Sequence, residues 1–396
     1  MAKMAETEKP GVLYISHERK MGGANLSLFD LATEMKRRGY TVSVVVLFRG
    51  CPIDARLRDA GIETFPCLFG WWMQPSDWSI VSKLAFRFLH WMQWLSVIRI
   101  SNYTRKKRID IIHSNSSVID IGAQVAKRVG CRHVWHFREF GKADYNLEYM
   151  LGRKKTIQYI NNYADQVIFI SKALMKSYAE IMNYIQIYNG IRDDAFYDNI
   201  ENRVERKEFG FLISGNLSCG KNQMLVLEAV KKIRDKRGLY GFKLYLAGAA
   251  TALKQSQSYE QEMRRYVADN NMTNVVFLGF VDNMKELRNT RIDTEIVASR
   301  SEAYGRVTIE AMASGNIIIA SDAGSNPELI GANEHGILFR DNDSSDLADK
   351  MMWCMDNLKK KREIEENARK YAFDNHRMIN NINQVENVYG TLLRKE

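Results

Sequence analysis

The chain has 396 residues, 45% of them hydrophobic and 26% charged, with 57 Lys and Arg against 47 Asp and Glu. That length exceeds one ordinary core and that composition excludes a disordered or fibrous chain, so two globular domains are expected. The net charge of +10 leaves nucleic acid, an anionic membrane and a phosphorylated substrate as partner classes, and sign alone does not choose among them.

Taken from the start, "MAKMAETEKP" has no apolar core, so no signal peptide is expected and a cytoplasmic location is. "VLYIS" (12–16) is a continuous apolar run suited to a parallel strand buried on both faces. Gly22 and Gly23 follow, then a helical pattern through Leu26, Leu28, Phe29, Leu31, Ala32 and Met35, and a second strand at 40–48. Further strands are expected at 109–115, 133–137, 166–171 and 185–190, with helical stretches between most of them. A polar segment, 191–208, reads as a linker. The pattern then restarts, with strands expected at 210–216, 242–248, 274–280, 294–299, 316–321 and 336–339. The expected architecture is therefore α/β, two facing Rossmann-like doubly wound domains with an inter-domain cleft. The N-terminal domain takes 1–190, the C-terminal one 209–375, and a last helix, 376–396, returns to the first. Such sheets bind ligands outside the carboxyl ends of their strands.

Within the first domain, about 71–108, lie five of the seven tryptophans: Trp71, Trp72, Trp78, Trp91 and Trp94. Between Trp78 and Ile100 the polar residues recur every three or four positions, which predicts a helix with a narrow polar stripe and a wide apolar face. Lys83, Arg87 and His90 interrupt it too often for a membrane span. Two readings stay open: a helix lying in an anionic membrane interface, or one covering the first sheet.

Scattered cysteines (51, 67, 131, 219, 354) form no CxxC pair, arguing against a disulfide framework or zinc site and for a reducing compartment. "DND" (341–343) precedes a polar helix start and reads as a loop with a capping acid rather than a metal site. The glycines make neither G-x-G-x-x-G nor a Walker loop, so neither NAD nor ATP hydrolysis is indicated. Among candidate functional residues, Glu302 and Glu310 stand eight apart around Tyr304-Gly305-Arg306 in "SEAYGRVTIEAMASGN". Gly305 would let the backbone approach a ligand, and the first amides of the helix after it suit a phosphate. By spacing alone, a surface acid and a solvated helix residue serve equally well.

The segment "SRSEAYGRVTIEAMASGNIIIASDAGSNPELI" resembles the E-x7-E stretch of the retaining glycosyltransferase family 4, which has the two-domain GT-B fold. "ISHERKMGGANLSLFDLATEMKRRGYTVSVV", "VIFISK", "IYNGI" and "ISGNLSCGKNQ" are similar to its other landmarks in the expected order, with Asn25 where members more often carry Glu. The resemblance implies that Glu310 holds the nucleotide ribose and that Glu302 sits beside the transferred sugar. It implies that Tyr304, Gly305 and Arg306 offer backbone amides, and that Lys221 neutralises the diphosphate. Asn216 stands where many members have an arginine, leaving open whether Lys221 acts alone or with Arg306 or another base. His136 in "HVWHFREF" falls where the family places a histidine facing the donor sugar, and Gly22 and Gly23 where its loop nears the diphosphate; structural roles serve as well for these three.

The expected activity is transfer of a sugar from a nucleotide-diphosphate donor, UDP first on family frequency, to a glycan acceptor, lipid-linked, with retention. The setting would be cell-surface polysaccharide or glycoconjugate synthesis. No metal and no cofactor is expected. An anionic membrane surface is a candidate partner, which would place the protein at the inner face of the cell membrane. Nucleic acid is not expected, because outside the insert the basic residues are not interleaved with stacking aromatics. The alternatives are a sugar-nucleotide epimerase on the same fold and a basic non-catalytic binding protein.

Overall fold

The computed structural model describes residues 9–196, 208–238 and 241–394. Two compact units divide the chain: Met1–Gly190 with Met378–Glu396, and Ile191–Arg377. Most of the 191–208 segment lies outside the described residues. Its described start holds Ile191, whose amide donates to the His376 carbonyl at 2.8 Å, and Asp193, paired with Arg377.

The first unit contains β1 (Gly11–Ile15), β2 (Thr41–Val46), β3 (Glu63–Pro66), β4 (Met73–Pro75), β5 (Ile109–Ser114), β6 (Arg132–Phe137), β7 (Leu147–Tyr149), β8 (Gln166–Phe169) and β9 (Tyr184–Gln186). Seven of these form one parallel sheet in the order β3-β2-β1-β5-β6-β8-β9, while β4 and β7 pair antiparallel beside it. Every residue of β1 is buried, as its unbroken apolar run requires of a strand covered on both faces. Helix Gly23–Arg37 lays Leu28, Leu31, Ala32 and Met35 on that sheet. The final helix, Met378–Leu393, adds Ile382, Val385 and Tyr389 to the same core. Sheet order reverses direction at β1, so the loops after β1 and β5 diverge at its carboxyl end.

The tryptophan-rich insert is two helices, Ile80–Trp91 and Trp94–Lys106, rather than the single helix its spacing predicts. The chain turns at Gln93, whose buried side chain donates to Asp120 at 3.0 Å. The second helix buries Val97 and Ile100 and covers the sheet, but the first buries no residue at all.

In the second unit, β10 (Phe209–Ser214), β11 (Phe242–Ala247), β12 (Val275–Gly279), β13 (Thr294–Val297), β14 (Ile317–Ser321) and β15 (Ile337–Phe339) form a parallel sheet ordered β12-β11-β10-β13-β14-β15. Helices Gln223–Arg237 and Ser344–Asp356 close its core with Val226, Val230, Leu347 and Met351. Asp343, from the sequence's "DND", caps the latter helix by accepting from the amides of Ser345 and Asp346 at 2.9 and 3.0 Å. Here the strand order reverses at β10, and the loops leaving β10 and β13 carry Asn216, Lys221 and the Glu302–Gly305 stretch.

Candidate functional site

The loop after β13 runs from Ala298 into helix Arg306–Ala313. Gly305 is the residue before that helix, at φ +77°, and a Cβ there would press on Leu329 Cδ1 and Thr308 Oγ1 at 3.0 Å. Both the backbone angle and the space call for glycine. No side chain caps the helix, so its first amides keep their donor capacity and the positive end of the helix dipole.

On this helix Glu310 is not a solvated residue. Its Oε1 accepts from Arg306 Nε at 2.7 Å and its Oε2 from Arg288 at 3.3 Å. Arg288, nearly fully buried, also donates to Glu295 of β13 at 2.8 Å, and Glu295 accepts from Ser214 Oγ at the end of β10 at 2.6 Å. A continuous chain of charge-assisted bonds thus runs Ser214, Glu295, Arg288, Glu310, Arg306, and fixes the Glu310 carboxylate from beneath. Sequence reasoning named Glu310 and Arg306 but missed Arg288 and Glu295. The available signal was an acid inside the apolar run "TEIVAS", which a buried strand tolerates only with a partner.

Glu302 takes the other cation. Lys221 Nζ lies 2.7 Å from Glu302 Oε2, with both side chains partly exposed. Lys221 belongs to the turn Ser218–Asn222 after β10, before rather than inside helix Gln223–Arg237. The Arg300 amide donates to the Gly220 carbonyl at 3.3 Å, tying the two loops together. Glu302's own backbone is gripped from the far side, where Ser325 N donates to its carbonyl at 2.8 Å. Asn216 is exposed, and its carbonyl accepts from Gln223. Arg306, weighed as a second cation, has its guanidinium on Glu310; Arg300 is the guanidinium residue whose backbone adjoins the Lys221 turn. Tyr304 is buried, its hydroxyl 3.0 Å from His376 Nδ1, so only its backbone is placed to meet a ligand. Among the described residues no group of three or more His, Cys, Asp or Glu is arranged to hold a metal.

The remaining predicted residues lie in the first unit. His136, at the end of β6, is buried, with its Nδ1 3.1 Å from His113 Nε2 and 3.3 Å from the Arg138 guanidinium. Burial, then the nearby charge of Arg138, holds its pKa well below the ordinary histidine value. A guanidinium can only donate, so Nδ1 accepts and the proton of the neutral ring sits on Nε2. That buried Nε2–H has no hydrogen-bond partner among the described residues. Nearby, Glu139 Oε1 accepts from the Ser117 amide and hydroxyl at 2.7 and 2.8 Å, and burial raises its pKa. Gly22 precedes helix Gly23–Arg37 in an extended conformation, and a Cβ there would strike the Glu18 carboxylate at 2.7 Å, whereas Gly23 has open space. Asn25, the departure noted in sequence, is fully buried and ties the loop after β1 by donating to the carbonyls of Glu18 and Lys20.

Two family descriptions fill most of the chain end to end: Glycosyltransferase Family 4 over residues 21–195 and Glycosyl transferases group 1 over residues 197–371. The chain belongs to the family-4 glycosyltransferases and has their GT-B fold of two Rossmann-like units. It is 23% identical over 278 residues to the uncharacterized glycosyltransferase MJ1178 of Methanocaldococcus jannaschii, covering 68% of this chain and 72% of that one. Among solved structures, Anabaena Alr3699/HepE in complex with UDP superposes with a TM-score of 0.78 at 20% identity, over 96% of this chain and all of that one. The same Anabaena protein is also solved with UDP-glucose. A glycosyltransferase from Rickettsia africae gives 0.79 at 18% identity, over 98% and 100%. At these identities the structural likeness is one of fold.

Proposed function

We propose that the protein transfers a sugar from a nucleotide-diphosphate donor, UDP-linked, to a glycan acceptor carried on a lipid, with retention at the anomeric carbon. The observation that carries this reading is the convergence at the carboxyl ends of β10 and β13. There an uncapped helix start, a lysine and a carboxylate anchored by two arginines meet within the loops of one sheet. The helix amides and Lys221 suit a diphosphate, and the anchored Glu310 suits a pair of ribose hydroxyls. The UDP complexes of the Anabaena relative support the choice of base.

In this reading Lys221 and the helix amides stabilise the charge that develops on the leaving phosphate, with no metal required; the Arg300 guanidinium is turned to Asn342. Glu302 holds the lysine in place and faces the sugar as it becomes cationic. The acceptor hydroxyl attacks from the leaving-group side: the new C1–O bond forms as the C1–O–phosphate bond breaks, and the hydroxyl proton passes to the departing phosphate oxygen. His136 of the first unit, held neutral by burial and with an Nε2–H that has no partner among the described residues, keeps a spare donor, the group that the family resemblance assigns to a sugar oxygen.

A thermal-shift panel of nucleoside diphosphates tests the binding half, since a ligand of the folded state raises the melting temperature. UDP is expected to shift the wild type and to shift Glu310→Ala much less. Equal UDP affinity in both proteins would remove Glu310 from the role. Incubation with donor alone checks the reaction class, because accumulation of an isomerised nucleotide sugar would replace transfer by epimerisation.

A further inference from the structure

The helix Ile80–Trp91 is mounted inside out. Its polar stripe turns toward the body of the first unit: Lys83 Nζ lies 2.9 Å from Glu148 Oε1, Arg87 donates to the Met150 carbonyl at 2.9 Å, and His90 Nε2 is 3.3 Å from Asp120 Oδ2. On the other side Ile80, Val81, Leu84, Phe88, Leu89 and Trp91 are 58–78% exposed. An ordinary surface helix does the reverse, and a contiguous apolar face held toward solvent marks an interaction surface. The helix has 12 residues and, among the described residues, no helix is long and apolar enough to cross a membrane.

Charge around this face points to one occupant. Along the helix itself, from Ser76 through Gln93, the chain holds Lys83 and Arg87 against a single acid, Asp77. Lys83 pairs with Glu148, and Arg87 has no ion pair among the described residues, while the basic run 105–108 closes the next helix, beside Glu63 and Arg128. Lys154 and Lys155, at the start of the helix that follows Met150, where Arg87 is anchored, are exposed and have no ion pair among the described residues. A second copy of the chain would set this positive surround against itself, whereas an anionic surface would be attracted to it.

We propose that this face docks the first unit onto an anionic lipid bilayer. The helix lies in the plane of the interface, its aliphatic and aromatic side chains among the acyl chains and the neighbouring Lys154 and Lys155 at the headgroups. The docking stands on the surface of the first unit alone and does not depend on which donor or acceptor the site takes.

The test is co-sedimentation of the full chain with vesicles of phosphatidylcholine alone or with an equal part of phosphatidylglycerol. Wild type is expected to sediment with the anionic vesicles, to do so less as salt is raised, and to blue-shift its tryptophan emission. The triple variant Leu84→Ser, Phe88→Ser, Trp91→Ser is expected to keep the wild-type melting temperature and lose binding by roughly tenfold or more. Lys154→Ala and Lys155→Ala are each expected to weaken binding to anionic vesicles by roughly fivefold. Wild type that stays in the supernatant with both vesicles would overturn the proposal, as would a triple variant that sediments equally well. A wild-type dimer in solution that the serine substitutions split would assign the face to a second copy instead.

Discussion

With Glu295 fully buried and Arg288 nearly so, the bond between them at 2.8 Å sits where an uncompensated charge is expensive. Arg288→Met leaves Glu295 without its cation and is expected to destabilise the protein by about 3–5 kcal/mol, read by denaturant unfolding. The double variant Arg288→Met, Glu295→Leu removes both charges and is expected to regain most of that stability. It does not return the second cation of Glu310, so UDP affinity should stay low after stability is recovered. Recovery of both together would mean that Arg288 acts on the fold and not through Glu310. Glu302→Ala is expected to slow transfer while leaving nucleotide affinity near wild type, measured as turnover against UDP binding. The glycine break does set one glutamate in a loop and the other in a helix, but spacing alone does not single them out; the family resemblance does. Arg288 was not legible: it comes from helix Met284–Arg291, and only folding brings that helix under the site.

Between residue and fold stands the short loop that holds Glu302. Gly324 approaches it so closely that an added Cβ would fall 2.5 Å from both the Glu302 amide nitrogen and its carbonyl oxygen, and its φ is +60°. Gly324→Ala therefore strains the backbone by about 1–3 kcal/mol and must displace the Glu302 loop. Turnover is expected to fall more than UDP affinity, because Glu310 is anchored by a separate set of bonds. An unchanged turnover beside a lowered melting temperature would show that the position of the Glu302 backbone is not needed. At this scale the sequence served well where elements are long and periodic. The central strands match their apolar runs to within one to three residues, since a strand buried on both faces must be apolar throughout. It failed at β3, β4 and β7, which are short, and the first two end at Pro66 and Pro75, so neither length nor alternation marks them. It failed also at Gln93, where a buried side-chain bond to Asp120 accompanies a break that no glycine or proline announces.

Across the whole molecule, two α/β units were legible because the strand–helix alternation stops and restarts around a polar segment. The same two units differ in how they answer acid. In the first, burial is the main cause holding four histidines below their ordinary value: His17 at about 3, His133 at about 4, and His113 and His136 well below. In the second, burial does this to His376, at about 3. A histidine kept neutral when folded takes up its proton only on unfolding. Its contribution is therefore complete above the unfolded value of 6.5 and is lost as pH falls from there toward 4 and 3. Each such group can contribute up to about 1.4 kcal/mol per pH unit. Glu18, Glu139 and Asp144 work the other way, because burial raises them, and His90, raised by Asp120 against its burial, does so too. Carboxylates held low in the same unit, such as Glu34 at about 2 through Arg37, add to the loss at lower pH. The first unit should therefore lose stability at a higher pH than the second. Hydrogen exchange followed by mass spectrometry, corrected for the intrinsic rate at each pH, resolves the two units by peptide. Protection is expected to fail first around β1, β5 and β6, while peptides from β10, β13 and β14 stay protected; the opposite order would refute the assignment of acid lability to the buried histidines.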